Sequence, residues 1–294
     1  MSEMILNHVD SKRIVNGVKY TKIDRPNVSR SPFIEKNYDF EDGFYEGEFT
    51  FESPLDQSDT VGTPESYARH RGAAALQGWI RDGHHEGITV LDLGSGTLDV
   101  ARTIPAIITA KMNLVNSDIS GPWSMGPNSA MERGVEKLKQ KGLLDNFKSI
   151  ENVEYDFNVS EWPFNDAEFD YVISNLALCH IAYERKTKVL SGIYSSLKTD
   201  GKLIIGDVFQ KDEAGSRFTE AGQRGPEECW GYLSVLTDFL AISKEVGFKM
   251  DETALRNFSE NRNHQTEQEL ERAKNDIHAT MAINKAVWGL ELTK

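Results

Sequence analysis

The most constraining feature of this sequence is a regular alternation of short apolar segments and amphipathic segments that begins at Gly87. Apolar segments bounded by turn residues predict strands at 88–93, 113–118, 152–157, 169–174 and 202–208. Helical periodicity predicts intervening helices over 98–110, 129–141 and 183–197, a later helix over 233–246, and a final strand follows at 283–292. Strands that alternate with helices in this way form a parallel sheet with right-handed crossovers, so we predict an α/β fold.

The first predicted strand runs through a glycine-rich turn directly into a helix. The residues from Val90 to Asp99 read VLDLGSGTLD. Glycines in such a turn let a ligand approach the backbone, and the N-terminus of the following helix offers N–H groups to it. A dinucleotide fingerprint has a third glycine where this chain has Asp99, which argues against a nicotinamide cofactor.

Acidic residues follow the next two predicted strands. Asp118 ends the second strand, at a place where a carboxylate can accept both hydroxyls of a ribose. A helix N-cap or a loop acid is the alternative for this residue, and the sequence leaves the two open. Asp156 lies at the end of the third predicted strand, where a polar group can meet the edge of an adenine.

These motifs, taken in order, resemble those of class I S-adenosylmethionine-dependent methyltransferases. The resemblance extends over 88–208 and includes the segments WPF at 162–164, FDYVISN at 169–175 and LKTDGKL at 197–203. It implies a Rossmann-like, doubly wound sheet that is mostly parallel, with an antiparallel C-terminal strand and an N-terminal cap. It also implies S-adenosyl-L-methionine as the cofactor.

The resemblance further implies which residues bind the cofactor. They are Asp92, Gly94, Ser95, Gly96, Asp118, Ile119, Asp156, Phe157 and Asn175. The residues of the glycine turn would hold the amino-acid end and the sugar, and Asp118 would hold the ribose. Ile119, Asp156 and Phe157 would border the adenine, and Asn175 would lie beneath the methionine part.

A helix is predicted to begin at Thr63, because Thr63 is a suitable N-cap and proline follows it at the first helical position. Tyr67 and Arg71 lie one turn apart on this helix and are candidates to meet the carboxylate of the cofactor. An exposed cation–π pair is the structural alternative for these two residues.

Methyl transfer from a sulfonium is a displacement that requires alignment and a deprotonated nucleophile. Candidates for a general base lie beyond the fourth and fifth predicted strands: Cys179 and His180 in LCHI, and Asp207 in GDV. We predict catalytic roles for His180 and Asp207. A packed or helix-capping His180 and a loop-capping Asp207 are the structural alternatives.

Composition limits the partners. Lys and Arg total 33 against 46 Asp and Glu, giving a net charge of −13, which disfavours a nucleic-acid partner. No uncharged run is long enough to span a bilayer, and Glu3 and Asp10 interrupt any signal-peptide core. The two cysteines and the histidines have no metal-ligand spacing, so we expect no metal, no membrane partner and a cytoplasmic location. The sequence leaves the oligomeric state open.

The chain divides into two predicted regions. Residues 1–62 form an N-terminal cap or lid, and residues 63–294 form the methyltransferase domain with an acceptor-pocket insertion at 210–230. Aromatic and acidic residues alternate over 37–51, which suits either an active-site lid or a surface meander with an edge hairpin. A small-molecule acceptor is predicted. A protein methyltransferase and a non-methylating protein of the same fold are the alternatives.

Overall fold

The protein is an α/β structure built on one ten-stranded sheet, seen in a computed structural model. The structure describes residues 11–15, 18–22, 87–96, 98, 101, 112–118, 130–157, 161–175, 177–181, 183–210, 236–250, 256–257 and 285–294. The strands are β1 Ser11–Val15, β2 Val18–Lys22, β3 Ile88–Leu93, β4 Met112–Asp118, β5 Ser149–Glu154, β6 Phe169–Asn175, β7 Leu197–Gln210, β8 Lys249–Met250, β9 Arg256–Asn257 and β10 Lys285–Thr293. The described helices are α1 Ala130–Gln140, α2 Tyr183–Ser196 and α3 Leu236–Val246, with short 3-10 helices at Leu144–Asn146 and Leu178–His180.

The strand order is β1-β2-β5-β4-β3-β6-β7-β10-β8, and β9 pairs with β10. The five strands from β3 to β7 pair in parallel, and β10 pairs antiparallel with β7. This arrangement confirms the predicted α/β fold with an antiparallel C-terminal strand. It brings the carboxyl ends of the parallel strands to one edge of the sheet, where such folds bind their ligands.

Two hydrophobic layers cover the two faces of the sheet. Within β3, Val90 packs into the layer that contains Met131 and Val135 of α1. Leu91 points the other way and packs into the layer that contains Ile193 of α2 and Phe239 of α3. Alternate residues of this central strand are therefore buried on opposite faces, as expected for a sheet with helices on both sides.

Two strands, β5 and β7, differ from their predicted positions by more than two residues. The third parallel strand is β5, three residues earlier than the predicted 152–157, because its pairing with β4 runs from Asn113↔Ser149 to Asp118↔Glu154. Pairing stops where β4 ends, so Asp156 lies in the segment beyond β5. The strand predicted at 202–208 is longer, since β7 pairs with β10 as far as Gln210.

The sheet also contains an N-terminal hairpin that the sequence analysis did not predict. β1 and β2 pair antiparallel, and β2 adds in parallel to the edge of β5. The predicted helix that begins at Thr63, the segment 37–51 and most of the predicted helix 98–110 lie outside the described residues. In the part of the chain that is described, no helix has the length and apolar character needed to span a membrane.

Candidate active site

The glycine turn after β3 folds back onto the end of β4. The backbone N–H groups of Gly94 and Ser95 both donate to the carbonyl oxygen of Ser117, at 2.7 and 3.0 Å. Gly94 and Gly96 adopt positive φ angles of 75° and 52°, which favour glycine over residues with a Cβ. The turn is thus held by backbone hydrogen bonds and depends on its glycines.

The two glycines face different surroundings. A Cβ placed on Gly94 would overlap the Cβ of Ala177 and would lie 3.7 Å from the ring of Phe157. A Cβ placed on Gly96 would meet no described atom within 4 Å. Gly94 is therefore a packing contact between three strand ends, whereas no described residue packs at the place where a Gly96 side chain would lie.

Asp118 joins the turn to the end of β4. Its side chain is buried, and Oδ2 accepts a hydrogen bond of 2.7 Å from the N–H of Gly96. The carbonyl oxygen of Asp118 accepts a second bond, at 2.7 Å, from the N–H of Tyr155 just after β5. The ends of β3, β4 and β5 are therefore linked in series through one acidic residue.

The other predicted cofactor residues that the structure describes lie along the same edge. Asp92, Asp156 and Phe157 are buried, and Asn175 ends β6. Arg185 on α2 donates from Nε to the carbonyl oxygen of Phe157 at 3.2 Å, which holds the segment after β5 against that helix. Asp92 of β3 and Asn175 of β6 lie at the ends of adjacent strands, on either side of the turn.

Several buried polar atoms at this edge suit a polar cofactor. The hydroxyl of Ser95 and both side-chain polar atoms of Asn175 have no hydrogen-bond partner among the described residues. Buried polar groups are nearly always paired, so these atoms indicate a polar ligand. With the open face of Gly96, they fit the ribose and the amino-acid part of S-adenosylmethionine.

The candidate bases lie at the adjacent ends of β6 and β7. Asp207 is buried in β7, and its Oδ2 accepts a hydrogen bond of 3.0 Å from the N–H of Cys179. Burial, followed by the negative charge of Asp207, raises the pKa of the Cys179 thiol well above its ordinary range. Cys179 therefore stays protonated and is a poor base. His180 ends the 3-10 helix after β6, and its side chain is outside the described set.

Three predicted site residues lie outside the described residues: Tyr67, Arg71 and Ile119. Residues 211–235, which include all of the predicted insertion except Gln210, also lie outside them. Within the described ranges there is no cluster of three or more His, Cys, Asp or Glu side chains that could hold a metal. Ala177 contributes to the site but was not among the residues predicted from the sequence. Its small side chain after a strand end was the available signal, but its contact with Gly94 is tertiary.

The strand order, the glycine turn and its acidic partner on the next strand define a Rossmann-like domain of the class I S-adenosylmethionine-dependent methyltransferase type. The chain belongs to the methyltransferase domain family, whose model matches residues 67–253. This match confirms the class that the sequence motifs indicated.

Named relatives and solved structures agree with this class. The ubiquinone/menaquinone biosynthesis C-methyltransferase UbiE of Citrobacter koseri is 29% identical over 123 residues, which cover 42% of this chain and 43% of that protein. The chain therefore spans less than half the length of this relative.

Two solved structures share the fold. Phosphoethanolamine N-methyltransferase 2 of Haemonchus contortus, in complex with S-adenosyl-L-methionine, superposes with a TM-score of 0.52 and 18% identity, covering 93% of this chain and 61% of that chain. The 4+2 cyclase SpnF superposes with a TM-score of 0.50 and 15% identity, covering 76% of this chain and 80% of that chain.

Proposed function

We propose that the protein transfers a methyl group from S-adenosylmethionine to a small-molecule acceptor. The observation that carries this proposal is the bond from Gly96 N–H to Asp118 Oδ2 beside an open Gly96, within the segment that matches the family. That geometry places a buried carboxylate beside a glycine whose Cβ position meets no described atom. The matched relative is named for ubiquinone/menaquinone biosynthesis and the Haemonchus protein for phosphoethanolamine, and these names favour a small acceptor over a protein.

In this proposal the chain's own residues have separate tasks. Asp118 holds the ribose hydroxyls, and Ser95 and Asn175 bind the amino-acid part. Asp92, Asp156 and Phe157 border the site, and their burial supports exclusion of water from it. When bound, the cofactor supplies an electrophilic methyl group, and the protein aligns the acceptor with it. Tyr67, Arg71 and Ile119 are proposed to complete the cofactor site.

The acceptor side of the site is proposed to include the insertion at 210–230. Within the predicted cap 1–62, the hairpin of β1 and β2 extends the edge of the sheet at β5. The rest of 1–62 is proposed as the cap over the domain 63–294. The net charge of −13 supports an acceptor that is not a nucleic acid. A cytoplasmic location stays a prediction from the sequence.

Product analysis tests the proposed activity. The protein is incubated with methyl-labelled S-adenosylmethionine and separately with the small-molecule and protein fractions of a cell extract. Label in a small-molecule product, together with S-adenosylhomocysteine, is the expected result, and Asp118→Ala should lower both signals when S-adenosylmethionine is limiting. Label only in the protein fraction would contradict the proposed acceptor class.

The same fold also supports a different chemistry, since SpnF is a cyclase. A non-methylating function is therefore the second candidate. It predicts tight binding of S-adenosylhomocysteine by calorimetry with no labelled product in either fraction. Methyl transfer predicts binding and labelled product together.

His180 is proposed as the general base, because it follows β6 at the edge where the site lies and Cys179 is a poor alternative. Replacement by alanine should lower turnover about 10²–10⁴-fold while affinity for S-adenosylhomocysteine is kept. Turnover within a few-fold of the unmutated enzyme would mean that alignment alone serves the reaction.

A further inference from the structure

The segment from Ala177 to Ile181, which connects β6 to α2, is fixed at two points by buried charged side chains. At the first point, the Asp207 carboxylate of β7 accepts a hydrogen bond of 3.0 Å from the N–H of Cys179. At the second, the Lys186 ammonium of α2 donates a hydrogen bond of 2.8 Å to the carbonyl oxygen of Ile181. One charge thus holds a backbone donor and the other a backbone acceptor of the same short segment.

The burial of Lys186 is unusual for its position in a helix. Its side chain is only 2% exposed, and lysine is almost never fully buried unless it is paired. It also lies in the first turn of α2, where a positive charge opposes the helix dipole. Burial of a lysine and a positive charge in the first turn of a helix both cost stability. Residues that carry such a cost are expected at functional sites, where a tertiary contact offsets it.

The segment held by these residues lies in the candidate active site. Ala177, at its start, packs on Gly94 of the glycine turn. His180, the proposed base, lies within it. A shift of the segment would therefore move the proposed base relative to the glycine turn, and small misplacements of reacting groups lower rates strongly.

We propose that Lys186 and Asp207 are positioning residues, which clamp the segment 177–181 so that it is aligned for methyl transfer. For Asp207 this positioning role is an alternative to the catalytic one that the sequence suggested, since Oδ2 of its carboxylate accepts the backbone N–H of Cys179. The effect on turnover rests on the proposed function. The two hydrogen bonds by which Lys186 and Asp207 hold the segment, called the clamp below, can be tested without assuming methyl transfer.

Cys179 is a built-in reporter for the clamp. Its thiol is buried inside the held segment, so alkylation requires local opening. The positive charge of Lys186 lowers the pKa of this thiol, against the larger effects of burial and Asp207. Removal of Lys186 would therefore reduce the thiolate fraction and slow alkylation if charge were its only role. Loss of the clamp acts in the opposite direction and speeds alkylation.

The first experiment treats the folded protein with N-ethylmaleimide and measures the adduct at Cys179 by peptide mass spectrometry. Lys186→Met should be alkylated about tenfold faster than the unmutated protein. Lys188→Met, which removes an exposed lysine of the same helix, is the matched control and should react at the unmutated rate. Unchanged or slower alkylation of Lys186→Met overturns the clamp.

Amide hydrogen exchange separates local from global opening. In Lys186→Met, exchange in β3 and β4 should stay at the unmutated rate while Cys179 alkylation rises. Equal acceleration throughout the sheet would mean general destabilisation and would overturn the proposal.

If Lys186→Met fails to fold, Asp207→Asn is the variant to test, because a neutral acceptor holds the Cys179 N–H less strongly. Exchange of that amide should rise about fivefold, and unchanged exchange overturns the clamp.

The second experiment measures methyl transfer. Lys186→Met should lower kcat about tenfold and leave the KM for S-adenosylmethionine within about twofold, because the ribose contacts lie on β3 and β4. Faster alkylation with unchanged kcat would overturn the positioning role. Absence of methyl transfer by the unmutated protein would contradict the proposed function alone, since the alkylation result judges the clamp independently.

Discussion

The two halves of the carboxyl edge of the sheet each use a buried aspartate that accepts a backbone N–H, but they differ in the other contacts that hold them. At the ends of β3, β4 and β5, the contacts start from backbone N–H groups and converge on Ser117 and Asp118. At the ends of β6 and β7, buried charges on Lys186 and Asp207 hold the connecting segment. The first half should therefore be sensitive to backbone conformation, and the second to the removal of charge.

The largest expected effect tests the backbone-held half. Gly94→Val should lower the free energy of unfolding by about 3 kcal/mol or more, because a left-handed backbone and overlap with Ala177 combine. Gly96→Val should cost about 2 kcal/mol, since only the backbone conformation opposes it, yet it should abolish binding of S-adenosylhomocysteine. Urea unfolding and calorimetric titration measure the two quantities. If both variants lost a similar amount of unfolding free energy, packing against Ala177 would not distinguish Gly94 from Gly96.

A smaller effect is expected at the carboxylate of this half. Asp118→Ala should weaken binding of S-adenosylhomocysteine about tenfold or more, measured by calorimetric titration. Asp170 provides a matched control, because its Oδ2 also accepts a backbone N–H, that of Thr89 at 2.8 Å, but at the opposite ends of the strands. Asp170→Ala should cost about 1–2 kcal/mol of stability and leave binding unchanged. Equal weakening by both variants would contradict a ribose contact at Asp118.

The smallest effect is expected at Lys188, which bonds Glu161 at 2.5 Å with both side chains largely exposed. The hydrogen bond from Lys188 lowers the pKa of Glu161 below its ordinary value of 4.5. The pair therefore stabilises the fold above that pH, and the contribution is lost as pH falls through the lowered pKa. Because solvent screens exposed pairs, Lys188→Met should cost about 0.2–0.5 kcal/mol at neutral pH and less in acid, by urea unfolding. A loss that grows in acid would contradict this assignment.

Much of the central sheet was predictable because its strands are buried on both faces. β3 and β6 contain apolar runs, VL and YVI, and β4 contains the shorter apolar pair Leu114-Val115 between polar residues. The register of β5 was not predictable in the same way. In the segment SIENVEYDF, polar and apolar residues alternate strictly only over 152–157, which is the strand that the sequence predicted. The end of β4, and not this local pattern, decides where β5 stops.

The hairpin of β1 and β2 could have been predicted, because Asn16 and Gly17 stand between Val15 and Val18. An Asn-Gly pair between β-branched residues is a strong hairpin signal. The clamp has no such signal. Arg185-Lys186-Thr187-Lys188 is typical of a solvated helix face, and only the packing of α2 on the sheet distinguishes the buried Lys186 from the exposed Lys188.

The attachment of the hairpin to β5 has a consequence for the order of folding. β2 pairs in parallel with residues 151–153, so the ribosome must complete the long intervening chain before that ladder can form. At about 5–20 residues per second, the delay is on the order of ten seconds. β1 and β2 can pair with each other at once, since that contact is local. The first two described strands therefore join the sheet only once β5 has been made, although they precede β3 and β4 in the sequence.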